Sequence, residues 1–218
     1  MKRFFLLILA AIVLFFVSCT KEVPAIKTVS SADSYFPITA GSTWRYRDFK
    51  RDGSSDTITV KMTASKSTFN GKTFMVASTQ SRESGAGAEY FYSDKHLNII
   101  RSLNIYAGEV LELDLFNDTA AIGTKIISYP TDNGFVGNLA ARTVNTTVEK
   151  NLTIKLGSTT FTGVIHTHVV LEYLLLSGFS TNLIYDFYLA KGIGVIESQL
   201  IVLGTVFEGQ YILDYTIK

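Results

Sequence analysis

The chain has 218 residues and a near balance of charge, 20 Lys and Arg against 19 Asp and Glu. This balance excludes the basic surplus that binding to nucleic acid requires. The length fits one domain or two small ones, and a single cysteine excludes an internal disulfide. Frequent Thr, Val, Ile, Tyr and Phe, with only three prolines, favour β-strands.

The first residues have the pattern of a secretion signal. Lys2 and Arg3 form a basic start, and residues 4–17 are an unbroken apolar run of 14 residues. A membrane-spanning helix needs about 20 residues. The run is therefore predicted to be the apolar part of a signal peptide.

The end of this segment resembles the bacterial lipobox. Phe16, Val17, Ser18 and Cys19 place a small residue before a cysteine, although Phe16 stands where Leu is usual. The resemblance implies cleavage before Cys19, a diacylglycerol on its sulfur and an acyl chain on its amine. Several acyl chains give stable attachment, since each buried methylene contributes about 0.8 kcal/mol. Two alternatives remain, a plain secretion signal with a chance cysteine and an uncleaved membrane helix.

The rest of the chain divides into a tether and a folded part. Residues 20–33 are small, polar and aperiodic, which is typical of a linker, and extended they reach at most roughly 50 Å. We therefore predict a signal peptide over residues 1–18, a lipidated Cys19 with a flexible tether over 19–33, and one antiparallel β domain over 34–218. Removing Lys2 and Arg3 with the signal leaves 18 basic against 19 acidic residues.

The first half of the predicted domain contains several short strands. Asn70 and Gly71 form a strong hairpin signal, because both tolerate positive φ. Residues 84–88 are predicted to be a loop, and nothing is assigned over 117–142. Strands are predicted at residues 44–49, 57–63, 72–80, 89–93, 97–103 and 110–116.

The second half shows longer alternation. Over residues 144–156 the apolar side chains occupy mainly even positions and the odd positions are polar, which predicts a half-buried strand with its even face inward. Further strands are predicted at residues 164–176, 183–190, 195–203 and 210–217. Short turns join these strands, so the pairing is antiparallel. We expect an all-β, mainly antiparallel fold with one curved sheet, an open barrel or half-barrel.

Two motifs resemble a group of bacterial lipoproteins. Tyr35, Phe36 and Pro37 are followed by Gly41, Trp44 and Tyr46, and residues 187–196 read FYLAKGIGVI. These patterns are similar to the opening and closing motifs of TapB-family proteins of the Bacteroidota type, whose function is unknown. The resemblance implies a fold like the open β-barrel of the lipoprotein carrier LolA. From the residues alone, Gly192 and Gly194 predict a tight turn with positive φ.

His166 and His168 are the only candidates for a metal site. They lie two apart on a predicted strand and so share a face with Glu172. Two imidazoles and a carboxylate are zinc ligands. However, Glu172 lies roughly 20 Å along the strand from His166, at about 3.3 Å per residue. The favoured interpretation is therefore a polar face with no metal.

No nucleophile and base occur in a catalytic pattern, so we expect neither an enzyme nor a cofactor. Glu112, Asp114 and Asp118 are interpreted as the solvated face of a strand. The aromatic residues, 12% of the chain, fit an ordinary β core, although they could line a lumen or a sugar-stacking surface.

The sequence therefore predicts a lipid-anchored, non-catalytic envelope protein. It would sit in the outer membrane, on the periplasmic side or the cell surface, and bind a hydrophobic ligand, a glycan or an envelope partner. A structural or adhesion module and a metal-dependent envelope enzyme are the alternatives, and the oligomeric state is open.

Replacing Cys19 with alanine tests the anchor. We expect Cys19→Ala to move the protein from the membrane fraction to the soluble fraction, because no acyl chain can be attached. A Ser30→Ala change in the tether is the control and should leave the protein in the membrane fraction. Unchanged attachment of Cys19→Ala would refute lipidation.

Overall fold

A computed structural model describes residues 34–94, 96–104 and 109–218. The predicted signal peptide, Cys19 and the tether lie outside the described residues. Every regular element in the described ranges is a β-strand. The described part contains no helix suited to crossing a membrane.

Thirteen strands lie in the described ranges. In chain order they are β1 Thr43–Lys50, β2 Ser55–Phe69, β3 Lys72–Ser81, β4 Gly85–Asp94, β5 Leu97–Asn104, β6 Glu109–Asn117, β7 Lys125–Ser128, β8 Phe135–Val136, β9 Leu139–Leu156, β10 Thr159–Leu175, β11 Gly178–Ala190, β12 Gly194–Val202 and β13 Thr205–Thr216.

The strands build a single antiparallel sheet. Its order is β6-β5-β4-β3-β2-β1-β13-β12-β11-β10-β9-β7, with β8 paired to β9. Most neighbours are consecutive in the chain because short hairpins join them, and β1 pairs with β13 to connect the two halves. The prediction of an all-β fold with one curved antiparallel sheet is confirmed.

Side chains close the sheet into a nearly complete barrel. Asn145 of β9 donates from its amide nitrogen to the backbone oxygens of Asp114, at 2.8 Å, and Leu115 on β6. Lys150 Nζ donates to the backbone oxygen of Asp118 at 2.9 Å. We call this contact between β6 and β9 the seam. It closes the sheet further than an open or half-barrel.

The interior contains two apolar clusters. The first joins β6 to β9, β10 and β11 across the seam, and includes Leu115 and Leu171, both fully buried. The second lies around Trp44 and Tyr46 and includes Met62 and Ile196. Both clusters bury strand residues that alternate with outward-facing ones, as a curved sheet with one filled face requires.

The predicted inward face of β9 is wrong for its first half. Thr143, Asn145 and Thr147 are at most 1% exposed, while Val144 and Val148 are half-buried on the other face. The interior here borders β6, where Asn145 can reach backbone carbonyls. β-bulges opposite residues 164–167 then shift the register, and the even positions beyond Asn151 pack against the second cluster.

Two loop assignments also change. Residues 85–88, predicted to be a loop, begin β4 and pair with β3. A glycine is needed at position 87, because a Cβ there would lie 2.7 Å from the Thr79 hydroxyl oxygen. The small residues of this segment therefore let β4 pack closely against β3. The unassigned region 117–142 contributes the short strands β7 and β8, which both pair with β9.

Removing the seam amide should destabilise the barrel. Asn145→Ala leaves two buried carbonyl oxygens on β6 without their donor, so we expect the free energy of unfolding in urea to fall by about 1–3 kcal/mol. Thr146→Ala, on the outward face of the same strand, is the control and should change it by less than about 0.5 kcal/mol. Equal effects of the two changes would show that the amide does not hold the seam.

Candidate functional site

One end of the barrel is closed by the two motifs that the sequence singled out. Trp44 Nε1 donates to the backbone oxygen of Ile193 at 2.6 Å, and the Tyr46 hydroxyl donates to the backbone oxygen of Val195 at 2.9 Å. The backbone N–H of Gly192 donates to the oxygen of Ser34 at 2.7 Å. The opening and closing motifs therefore form one structural unit, which we call the closed end.

The glycines of the closing motif have the predicted conformation. Gly192 and Gly194 have φ values of 75° and 107°. A Cβ on Gly194 would also lie 3.6 Å from Pro37 Cδ and 3.7 Å from Trp44 Nε1. Phe36 fills the interior behind this turn, 4% exposed and 5.0 Å from the ring of Phe91.

The other end, the open end, leads into a cavity of about 510 Å³ that we call the lumen. It is reached past the β1–β2, β3–β4 and β12–β13 hairpins. Apolar and acidic side chains come from different strands of its wall. The apolar residues of β5, β6, β11 and β12 are Ile100, Leu111, Leu113, Phe187 and Leu200, and the acids of β1, β2, the β3–β4 turn, β4 and β13 are Asp48, Asp56, Glu83, Glu89 and Glu208.

A smaller space continues from the lumen towards the closed end. It measures about 80 Å³ and is bounded by Phe36, Trp44 and Tyr46. Glu89 and Phe187 line both spaces. The interior therefore changes from polar at the open end to aromatic at the closed end.

Two carboxylates of the lumen carry a raised pKa. Burial, with further repulsion from Glu208, raises the pKa of Asp48 to about 6, although Lys50 acts in the opposite direction. Burial also raises the pKa of Glu89, partly offset by the Ser102 hydroxyl, which lies 3.2 Å from the carboxylate. Lys50, the cation at the mouth, lies 2.6 Å from Glu83. The lining of the lumen therefore carries more acidic than basic side chains.

Half of the rim of the open end is apolar. The β10–β11 and β12–β13 hairpins place Leu176 and Leu203 almost fully in solvent. Other exposed apolar side chains at this end are Val110, Phe135, Leu139, Leu174, Leu175, Phe179 and Val206. These apolar residues lie on β6 and on β8 to β13, whereas most of the lumen acids lie between β1 and β4.

The histidine pair lies on the outer face of the sheet, away from the lumen. His166 Nε2 and His168 Nδ1 lie 2.9 and 2.8 Å from the same oxygen of Asp186. His166 also stacks on Tyr188, with ring centroids 4.4 Å apart, and its Nδ1 lies 3.5 Å from Glu149. Asp186 was not foreseen because it belongs to the neighbouring strand, β11.

His166, His168, Asp186 and Glu149 form a group that we call the outer cluster, in which charge interactions shift the pKa values of Asp186 and His166. Burial alone would raise the pKa of Asp186, but the hydrogen bonds from both histidines hold it below its ordinary value. Burial alone would lower the pKa of His166, but Asp186 and Glu149 raise it above 6.5. Glu172 binds Arg142 at 2.6 Å instead of joining the histidines. In the described ranges, no group of three or more such side chains is arranged to hold a metal ion.

The acids of β6 are not on a solvated face, contrary to the sequence interpretation. Glu112 and Asp114 are 9% and 8% exposed. Arg101 Nη1 lies 2.9 Å from Glu112, and its guanidinium lies 4.2 Å from the ring centre of Phe69. The backbone N–H of Glu112 donates to the backbone oxygen of Pro130 at 2.7 Å, so the chain after β7 covers these acids. Their role is structural.

The comparisons identify solved structures of similar shape. No protein-family model matches the chain, and no curated protein matches it either. A protein from Bacteroides fragilis, described as exported and of YmcC-like fold, superposes with a TM-score of 0.51 at 11% identity, over 83% of this chain and 98% of that one. A protein from Parabacteroides distasonis, described as a lipoprotein, gives a TM-score of 0.50 at 11% identity, over 84% and 98%. At these identities the likeness shows the fold alone.

The outer cluster should be visible in histidine titrations. By NMR we expect His166 to titrate above pH 6.5 in the unchanged protein, and its pKa to fall in Asp186→Asn. Because this pKa is raised on folding, the stability that it contributes is complete below about pH 6.5 and is lost as the pH rises through the folded value. Asp118→Asn, beside His96 at 2.7 Å, is the control and should leave the pKa of His166 unchanged.

Proposed function

We propose that this chain is a lipid-anchored protein of the bacterial envelope whose barrel binds an amphipathic, largely hydrophobic ligand in its lumen. The observation that carries the proposal is the lumen itself. Its volume of about 510 Å³ falls within the range of about 300–1,000 Å³ typical of small-molecule sites. Apolar walls and an aromatic inner space beside acidic side chains suit a molecule with a hydrocarbon part and a polar head.

The anchor is supported by the start of the sequence. The basic start, the apolar run and Cys19 favour export and lipidation. The two structural neighbours are described as an exported protein and a lipoprotein, which agrees with an envelope location. The outer membrane, facing the periplasm or the cell surface, remains our proposed location, and kinship with TapB-family proteins and LolA remains a prediction from the motifs.

We propose a binding role rather than an enzymatic one. The lumen of the described structure is lined by carboxylates, hydroxyls and amides around apolar side chains, while His166 and His168 lie on the outer face. The positions suited to proton transfer by histidine are thus separated from the space that would hold a substrate.

Native mass spectrometry of protein extracted gently from membranes tests the proposal. We expect a bound lipid-sized mass, and we expect Ser198→Trp to remove it. Ser198 lines the lumen and pairs with Phe187 across β11, so an indole there fills the cavity.

Glu197→Trp provides the matched control. Glu197 pairs with Tyr188, whose ring lies against His166 on the outer face, so the same indole would lie outside the barrel. This variant should keep the bound mass. A ligand-free spectrum for the unchanged protein, or equal loss in both variants, would contradict binding in the lumen.

A further inference from the structure

We propose that the lumen selects amphipathic ligands with a cationic ammonium head, which would be received by Asp48 while the hydrocarbon chain packs against the apolar walls and the smaller aromatic space. This inference rests on the proposed function and names the ligand class of the same site. It follows from the arrangement of charge along the lumen.

Asp48 is a buried carboxylate that forms no bond with another side chain in the described part of the chain. It is 6% exposed, it lines the lumen, and its side chain forms no hydrogen bond or ion pair with another described residue. A buried charge without a partner is costly, and a cation that arrives with a ligand relieves that cost. Lys50 offsets this cost only in part, so a cation brought by a ligand would relieve the rest.

The neighbouring charges strengthen this preference. Asp56, Glu83 and Glu208 also face the lumen, and all three act on Asp48 as like charges. Lys50 is the cation among these groups, and it already pairs with Glu83. An anionic head group would meet a surplus of like charge at the mouth, whereas an ammonium group would reduce it.

Glu89 extends the acidic surface inward. It lines the lumen and the smaller space beyond it, and the Ser102 hydroxyl lies within hydrogen-bonding distance of its carboxylate. Glu89 therefore adds a second carboxylate to the wall of the lumen, next to the smaller aromatic space.

Displacement of a fluorescent apolar dye from the lumen tests the head group. At pH 8 we compare three probes with the same chain, dodecylammonium, dodecanol and dodecanoate. We expect dodecylammonium to bind at least tenfold more tightly than dodecanol, and dodecanoate to bind most weakly. Asp48→Asn should lower the affinity for dodecylammonium at least fivefold and leave the affinity for dodecanol unchanged.

Asp214→Asn is the matched control, since Asp214 lies on the outer surface beside Arg45 and carries the same charge. It should leave the affinity for all three probes unchanged. Lowering the pH from 8 to 5 should weaken the binding of dodecylammonium to the unchanged protein, because Asp48 becomes protonated. The same change should have a smaller effect in Asp48→Asn, where the carboxyl group of Asp48 is absent.

Thermal unfolding separates loss of binding from loss of folding. The pKa of Asp48 is raised on folding, so its charged form destabilises the empty protein above about pH 6. Asp48→Asn should therefore raise the melting temperature at pH 8 by roughly 2–6 °C, and by less at pH 5. A variant that is more stable yet binds the ammonium probe less well supports the proposal.

The outcomes distinguish the two proposals. Equal binding of all three probes, with no effect of Asp48→Asn, would overturn the ammonium preference and leave binding in the lumen intact. If no probe displaces the dye and Ser198→Trp behaves like the unchanged protein, the proposed function and this inference both fail.

Discussion

The barrel depends on the side-chain contact between the edge strand β6 and β9, the strand that pairs with the other edge strand, β7. An antiparallel sheet of this length leaves two strands with unpaired backbone groups, and such edges invite association with other chains unless they are covered. Here the amide of Asn145 donates to the β6 backbone in place of a ladder. A single hydrogen bond contributes only about 0.5–1.5 kcal/mol, so the apolar contacts of β6 with β10 must act together with it. Because β6 is held in this way, Leu111 and Leu113 remain walls of the lumen.

The sequence predicted the strands well because alternation and turn chemistry are local. Asn70 and Gly71 turn with φ values of 47° and 75°, as their residue types indicated. Alternation separates two faces of a strand but does not say which face is inside. For β9 the pattern predicts that the less polar face points inward. The seam instead places Thr143, Asn145 and Thr147 inside the barrel. That requirement comes from β6, far away in the sequence.

The site was harder to predict for the same reason. His166 and His168 attracted attention because they lie two apart, yet their partner Asp186 comes from the next strand. The acids of the lumen come from β1, β2, the β3–β4 turn, β4 and β13, so no short motif contains them. The two motifs that did stand out mark the closed end. They were recognisable because a turn with positive φ and a buried indole restrict residue type strongly.

The attachment of Ser34 at the closed end also determines how the barrel responds to force. β1 lies between β2 and β13 and begins at this end, a few residues after Ser34. A pull on Ser34 along the barrel axis would first load its bond to Gly192 and the bond from Trp44 to Ile193. It would then load β1 lengthwise against both neighbours. Because hydrogen bonds between antiparallel strands run perpendicular to the strands, that load is shared by all of them at once and not taken one at a time. The domain is thus arranged to resist tension applied through its N-terminal side.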